Sequence, residues 1–267
     1  MSHYRKSTIG LTSLFLALVF SATHTSAHFV WIESPSALPP NQPTIIKAYF
    51  GEYQESLKEQ TGGRLDERAG LISWLLEPNG NKRALDISQE SNHFQIPVTL
   101  SKPGAYSLLA IDQEEPVRDG TPYPSIGMWY KPMFYARTQF SIAAPPAASE
   151  HHTQTAETLP LDIVPSQPAS SKTSNSLTVN ETMELQVIFK GQPLAKAKPV
   201  AHAPNGWSKE LETNDSGVTQ FTPPWPGTYV LDYLNLEKIS GTFQHTSYEA
   251  IRHRATLTIH VSEKPQE

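Results

Sequence analysis

Cysteine is absent from this 267-residue sequence. The fold therefore contains no disulfide, and any metal site must use imidazole, carboxylate or main-chain nitrogen in place of thiolate. The length allows one or two domains stabilised by apolar burial alone. The formal net charge is −5 and no basic run occurs outside the first 27 residues, so nucleic acid is not an expected partner.

Long apolar runs are equally scarce. One is present at residues 9–20 (IGLTSLFLALVF), after Arg5 and Lys6 and before a small polar run that ends at Ala27. This order predicts a secretory signal peptide over residues 1–27. The run is shorter than the roughly 20 residues that a membrane-spanning helix needs. We therefore expect a periplasmic protein with no membrane span in its mature chain.

The predicted cleavage site fixes the first residue of the mature protein. Thr25 and Ala27 occupy the −3 and −1 positions of a cut after Ala27, which would make His28 the first residue. A cut after Ala22 is the alternative. The two sites differ in whether His28 gains a free amino group.

Helical periodicity is missing from the rest of the chain, and 23 scattered prolines disfavour long helices. Apolar and polar residues instead alternate in short segments, which is typical of half-buried β-strands. The clearest predicted strands cover residues 44–50, 93–100, 104–110, 134–142, 183–189 and 253–261. Turn residues punctuate them at 77–80 and 214–217. These patterns predict an all-β fold.

The composition divides the chain into segments. We predict two immunoglobulin- or fibronectin-like β-sandwich domains, at residues 28–142 and 177–262, with a tail at 263–267. Residues 143–176, rich in Pro, Ala, Ser and Thr, would form the linker between them. Inside this linker the apolar segment LPLDIVP, at residues 159–165, is expected to pack as a short docked strand.

Several segments resemble a family of bacterial periplasmic proteins of unknown function. They are AHFVWIE at the predicted mature start, LPLDIVP in the linker, and the blocks GQPL and TNDSG in the last third. The family pattern has His-x-Phe-Trp near its start, whereas this chain reads His-Phe-Val-Trp from His28. Asp162 replaces the family's Glu, and Asn214 replaces its Asp.

The family is linked to nickel uptake and is often labelled "nickel uptake substrate-specific transmembrane region". The resemblance implies a periplasmic protein that captures nickel or cobalt before membrane transport, with a membrane transport component as a possible partner. The sequence has no Gly-rich phosphate loop, zinc-protease helix or nucleophile elbow. We therefore do not expect an enzyme.

His28 is the first candidate metal ligand. A free N-terminal histidine offers its α-amino nitrogen and its ring Nδ1 to one ion, a chelate that no internal histidine can form. Nickel, cobalt and copper all accept such nitrogen ligands. The competing interpretation is that His28 only begins a strand in which Phe29 and Trp31 pack inward.

Other histidines could complete such a site. His93 begins a predicted strand, His202 lies near the end of one, and His245 lies in a loop. His253 shares its strand face with apolar residues and is expected at the core, while His260 on the opposite face should meet solvent with Thr256 and Thr258. A loop containing Asp112, Glu114, Glu115 and Asp119 could assist a cation, although the pattern favours a solvated turn.

Two alternative functions use other features. A structural or carbohydrate-facing sandwich protein would use tryptophan rings as platforms, with Trp31, Trp74, Trp129, Trp207 and Trp225 as candidates. A copper-binding protein or copper enzyme would use the mature N-terminal histidine with a second histidine. Metal titration separates the first alternative from nickel capture, and redox cycling of bound copper separates the second.

Overall fold

The computed structural model describes residues 28–142, 159–166 and 176–263. The predicted signal peptide and its cleavage site lie outside the described residues. Most of the predicted linker, with the last four residues of the tail, also lies outside them.

The first described segment contains eleven strands and two short 3-10 helices. The helices are Tyr53–Glu55 and Arg64–Arg68. The strands are β1 (Phe29–Glu33), β2 (Ala37–Leu38), β3 (Thr44–Glu52), β4 (Leu57–Lys58), β5 (Ile72–Leu76), β6 (Lys82–Leu85), β7 (Ser88–Gln89), β8 (Phe94–Val98), β9 (Gly104–Asp112), β10 (Arg118–Asp119) and β11 (Trp129–Ile142).

The two later segments contain strands only. They are β12 (Leu161–Ser166), β13 (Ser176–Thr178), β14 (Met183–Phe189), β15 (Gln192–Pro193), β16 (Val200–His202), β17 (Ser208–Glu210), β18 (Val218–Phe221), β19 (Gly227–Glu237), β20 (Gly241–Phe243), β21 (Thr246–Tyr248) and β22 (Ala250–Ser262). The predicted strand at 183–189 matches β14 at both ends, and the predicted strand at 253–261 lies inside β22.

These strands form several sheets in a sandwich-like layout, and the all-β prediction is confirmed. The first sheet has the order β1-β3-β8-β7, with β4 paired to β3. The largest has the order β17-β16-β19-β22-β11-β9-β5-β6. A smaller sheet has the order β12-β14-β15 with β18 paired to β14, and β20 pairs with β21 in a hairpin.

The largest sheet joins the two halves of the chain through its central pair of strands. β11 and β22 run parallel, in register from Tyr130 opposite Ala250 to Thr138 opposite Thr258. Strands β9 and β5 continue the sheet on one side of this pair, and β19 and β16 on the other. Both predicted domains therefore contribute to one hydrogen-bonded sheet.

Apolar side chains form a cluster on each face of the largest sheet. One cluster combines side chains of β1, β3 and β8 with those of β5, β9 and β11, including Ile46, Ile96 and Leu108. A second combines β12, β14, β19 and β22 with Leu109 and Tyr135 from the first half. The docked-strand prediction for residues 159–165 is confirmed, because β12 pairs antiparallel with β14.

Strand β1 is buried on both faces. Val30 and Ile32 belong to the first cluster, while Phe29 and Trp31 pack with Val230 of β19. Thr256 of β22 donates its hydroxyl to the Val30 carbonyl at 2.7 Å. The prediction that Thr256 and Thr258 face solvent is wrong: both are buried, because other strands cover this face of β22. His260, on the same face, is exposed as predicted.

Candidate metal centre at His28

His28 lies immediately before β1, at the end of the first sheet. Phe29 pairs with Gly51, which brings His28 beside Glu52 at the end of β3. Gly51 has φ +152°, and a Cβ atom there would lie 2.1 Å from the Leu57 carbonyl oxygen. Because Gly51 has no side chain, β4 can lie close to the backbone of β3. Glu59 follows β4 and stays beside β3, since its N–H donates to the Phe50 carbonyl at 2.9 Å.

Two carboxylates contact the His28 ring at different nitrogens. Nδ1 lies 3.0 Å from Glu52 Oε1, and Nε2 lies 2.5 Å from Glu59 Oε1. Nη1 of Arg64 lies 3.1 Å from the same Nε2. The three side chains that meet here, His28, Glu52 and Glu59, are only 13%, 9% and 18% exposed, so their charges interact in a partly dehydrated setting.

The 3-10 helix that carries Arg64 also carries Arg68, which points into the protein. Arg68 is fully buried, with Nη1 2.9 Å from Asp112 Oδ2, and it also pairs with Glu115. Burial lowers the pKa of Arg68 to about 10. The prediction of a solvated acidic turn is therefore wrong for Asp112 and Glu115. Both carboxylates are buried because they pair with Arg68, which is distant in sequence.

Lys131 of β11 is the second buried cation near this loop. Its Nζ donates to the carbonyl oxygens of Gln113, at 2.6 Å, and Glu115, at 2.5 Å. Burial lowers the pKa of Lys131 to about 8. The polar groups of this loop are thus engaged by two buried cations, through the ion pairs of Arg68 and the hydrogen bonds of Lys131 to main-chain carbonyls.

His253 lies in the core, as its strand face predicts. Its ring contacts the Tyr135 hydroxyl through Nδ1 at 3.0 Å and Glu237 Oε2 through Nε2 at 3.1 Å. Phe189 packs against it edge-on. Burial lowers the pKa of His253, against the opposing effect of Glu237. Both ring nitrogens therefore have protein partners.

His202 and His93 are also buried, each in a different place. His202 stacks on Phe29, and its Nε2 lies 3.4 Å from Asp232 Oδ2. His93 contacts the Asn92 side chain through Nδ1 at 2.8 Å, and burial lowers its pKa.

His245 lies in the turn between β20 and β21 with φ +68°, and it is exposed. Within residues 28–142, 159–166 and 176–263, no group of three or more His, Asp or Glu side chains is arranged to hold a metal ion. The five candidate histidines are therefore not shown to form a shared site.

Of these candidates, His28 lies at the predicted start of the mature chain, where cleavage would free an amino group beside its ring. Its ring already has a carboxylate beside Nδ1, and a third donor would be the amino nitrogen released by cleavage after Ala27. Sequence reasoning missed Glu52, Glu59 and Arg64, which are far from His28 along the chain. Pairing β1 with β3 in the correct register could have identified Glu52.

The tryptophans differ in their access to solvent. Trp31 is fully buried and stacks on Tyr49, so it cannot serve as a binding platform for a sugar ring. Trp129 and Trp225 are 42% and 43% exposed. Trp225 packs edge-on against Trp207, with ring centroids 5.6 Å apart.

None of the helices in the described part of the chain has the length and apolarity that a membrane crossing requires. No curated protein matches the sequence. Similar solved structures include trypsin-activated alpha-2-macroglobulin from Escherichia coli, with 10% identity and a TM-score of 0.28 over 87% of this chain and 16% of that one.

Another similar structure is the BSP domain of a biofilm-associated protein, with 7% identity and a TM-score of 0.22. That match covers 88% of this chain and 30% of the other. The chain thus spans less than a third of either structure, and TM-scores this low indicate nothing about its own fold or function.

One family matches most of the sequence. Its description is "Domain of unknown function (DUF4198)", and it matches residues 25–237. The match begins just before His28 and extends through β19, so it includes strands of both halves. The chain belongs to this family of unknown function.

Proposed function

We propose that the mature protein binds a divalent transition metal ion, nickel or cobalt, at His28 and serves metal uptake in the periplasm. The observation that carries this proposal is the 3.0 Å separation between His28 Nδ1 and Glu52 Oε1. It places a nitrogen and a carboxylate oxygen side by side at the predicted start of the mature chain.

This separation suits two ligands of one ion. Nitrogen and oxygen ligands lie about 2.1 Å from an ion such as zinc, so two of them at a right angle are about 3.0 Å apart. Removal of residues 1–27 would add the α-amino nitrogen of His28 as a third donor. The ion would then be held by the amine, Nδ1 and Glu52.

Glu59 supports this role from the other side of the ring. Metal-bound histidines commonly donate their second ring N–H to a carboxylate, which fixes the ring and strengthens the ligand. Glu59 Oε1 lies 2.5 Å from Nε2, where it can accept such a bond. Glu59 would therefore orient His28 without contacting the metal.

The donor types favour nickel, cobalt or copper over calcium or magnesium. Amine and imidazole nitrogen suit the later divalent transition metals, whereas calcium and magnesium prefer oxygen ligands alone. The bound ion would be cargo, passed to a membrane transport component. The resemblance to nickel-uptake proteins, on the segments quoted above, supports nickel or cobalt as that cargo.

Calorimetric titration with Ni²⁺ and Co²⁺ tests the proposal on three mature proteins. They are the form that begins at His28, the same form with one extra residue ahead of His28, and His28→Ala. We expect the last two to lose binding to a similar extent, because the extension converts the amine into an amide. His260→Ala, at an exposed histidine, is the control and should bind like the parent.

Equal affinity of the native and extended forms would overturn the proposal. Mass spectrometry of the exported protein is the companion measurement and should give His28 as the first residue. A mature start at Thr23 would remove the amine from the site. Tighter binding of Cu²⁺ with oxygen uptake under reductant would point to the copper alternative.

A further inference from the structure

We infer that Arg252 of β22 binds the carboxylate group of a small organic acid, at a site that does not use His28. Arg252 lies on the face of β22 that also carries Thr256, which β1 covers further along the strand. This binding would require neither the metal ion of the proposed function nor cleavage after Ala27.

Arg252 is a partly buried cation whose guanidinium has no protein partner in the described part of the chain. Its Nε is buried without an acceptor, and no hydrogen bond or ion pair of Arg252 occurs within residues 28–142, 159–166 and 176–263. The Tyr130 ring centroid lies 5.9 Å from Cζ, which allows only a weak cation–π contact. A buried donor left without an acceptor costs free energy and calls for a reason.

Other buried arginines show what Arg252 lacks. Arg254, two residues further along the same face, donates through Nε and Nη2 to the two carboxylate oxygens of Asp232, both at 2.8 Å. Arg68 has Asp112 as a partner. The fold thus supplies a carboxylate to each of these arginines and leaves the corresponding place at Arg252 for a ligand.

The neighbours of Arg252 in the sheet are apolar. Pro132 of β11 lies opposite it on one side and Leu236 of β19 on the other. Leu234, two residues earlier on the same face of β19, is 37% exposed. Burial lowers the pKa of Arg252 to about 10, and the nearby charge of Arg254 contributes. Because water solvates this guanidinium poorly, an anion that reaches it would interact more strongly than at an open surface.

The local charge favours a carboxylate over a phosphate. Asp232 neutralises Arg254, so the uncompensated charge is the single positive charge of Arg252. A guanidinium presents parallel N–H donors that match the two oxygens of a carboxylate. A phosphate group carries up to two negative charges near neutral pH and would leave excess charge beside apolar side chains. The exposed Leu234 offers the carbon part of an organic acid an apolar surface.

Sodium benzoate is the probe for this site, and neutral benzamide is its control. Nitrogen–proton correlation spectra of the isotope-labelled, metal-free mature protein follow the Nε–H signal of Arg252, identified by its loss in Arg252→Lys. We expect benzoate to shift this signal saturably and benzamide to leave it unchanged. The Nε–H signal of Arg83, whose Nε already lies 3.2 Å from Glu77 Oε1, is the internal reference and should not shift. Absence of a saturable shift at Arg252 would overturn the inference.

Urea unfolding separates a binding role of Arg252 from a structural one. An arginine without a protein partner adds no ion-pair stability, so Arg252→Met should unfold at the same urea midpoint as the parent or a higher one. Arg254→Met should have a lower midpoint, because it leaves the buried Asp232 without its cation. Benzoate, as a ligand of the folded state, should raise the midpoint of the parent and of Arg83→Met but not that of Arg252→Met.

Several results would count against a carboxylate site at Arg252. A midpoint of Arg252→Met as low as that of Arg254→Met would show a structural role, and a benzoate effect that persists in Arg252→Met would place the binding elsewhere. A saturable shift with inorganic phosphate as strong as that with benzoate would overturn the choice of a carboxylate. His28→Ala should bind benzoate like the parent even if it loses Ni²⁺ binding, and loss of both would contradict two separate sites.

Discussion

Arg137 and Asp162 form a buried, two-point ion pair between β11 and β12. Nε of Arg137 donates to Oδ1 at 3.0 Å and Nη2 donates to Oδ2 at 2.5 Å, and both side chains are about 1% exposed. The pair ties the apolar segment of the predicted linker to the last strand of the first half. Strand β12 is thereby held by a specific charge contact as well as by its pairing with β14.

Loss of the carboxylate from this pair should be costly. Asp162→Ala leaves a buried guanidinium without its carboxylate, and such changes typically cost about 3–5 kcal/mol. Urea unfolding followed by circular dichroism measures the change. Glu212→Ala is the control, since Glu212 lies 3.7 Å from Lys196 in an exposed pair and should cost at most about 1 kcal/mol. Equal losses for the two variants would contradict this account.

The shared sheet predicts the outcome of limited proteolysis. The composition of residues 143–176 predicts that cleavage begins there. Because β11 and β22 pair in register over residues 130–138 and 250–258, we expect the nicked halves to stay together in size-exclusion chromatography and to separate only in denaturant. Fragments that separate under native conditions, each with β-type circular dichroism, would instead establish two independent domains.

His253 should make stability depend on pH. Burial lowers its pKa, so the unfolded chain binds a proton more readily than the folded protein does. The stability that the neutral, buried His253 ring contributes is fully present above the ordinary imidazole pKa of about 6.5. It is lost as the pH falls from that value through the lower pKa of the folded state. In His253→Gln, the unfolding free energy should fall less steeply below that pH, although His93, whose pKa burial also lowers, retains part of the slope.

Urea unfolding at several pH values measures this slope. His260→Gln is the matched control on the same strand, because His260 is exposed, and it should leave the slope unchanged. An unchanged slope in His253→Gln would show that the buried ring is not responsible.

Gly51 connects stability with the candidate metal centre. Its φ of +152° and the Leu57 oxygen 2.1 Å from a built Cβ atom leave no room for Ala. Gly51→Ala should cost about 1–3 kcal/mol and weaken Ni²⁺ binding, because it separates β3 from β4 and so moves Glu52 relative to Glu59. Gly80→Ala, at φ +83° with no atom within 4 Å, should cost about 1 kcal/mol and leave binding intact.

The strands were predictable where alternation reflects burial on one face. Strand β14 alternates in this way, and its predicted ends coincide with those in the structure. Strand β22 has apolar residues on one face and threonines on the other, which normally indicates solvent. Here β1 covers the second face, and Thr256 is satisfied by the Val30 carbonyl from 226 residues away. Local alternation cannot reveal such a distant partner.

The candidate site was predictable only in its central residue. His28 was identified from the cleavage pattern, which is a local signal. Its partners depend on the register of β1 with β3 and on the tight approach of β4 at Gly51, and no short-range pattern specifies either. The local sequence around Asp112 predicts a solvated turn for the same reason. Its partner Arg68 lies 44 positions earlier in the sequence, so no short-range pattern indicates the contact.

The contact between Val30 and Thr256 also sets an order of events during synthesis. β1 leaves the ribosome first, yet the strand that covers one of its faces is the last to be made. At about 5–20 residues per second, the intervening 226 residues take about 10–45 s to translate. Throughout that delay the Val30 carbonyl lacks the hydroxyl of Thr256 that it accepts from in the folded protein, so this contact of β1 forms only after the last strand has been made.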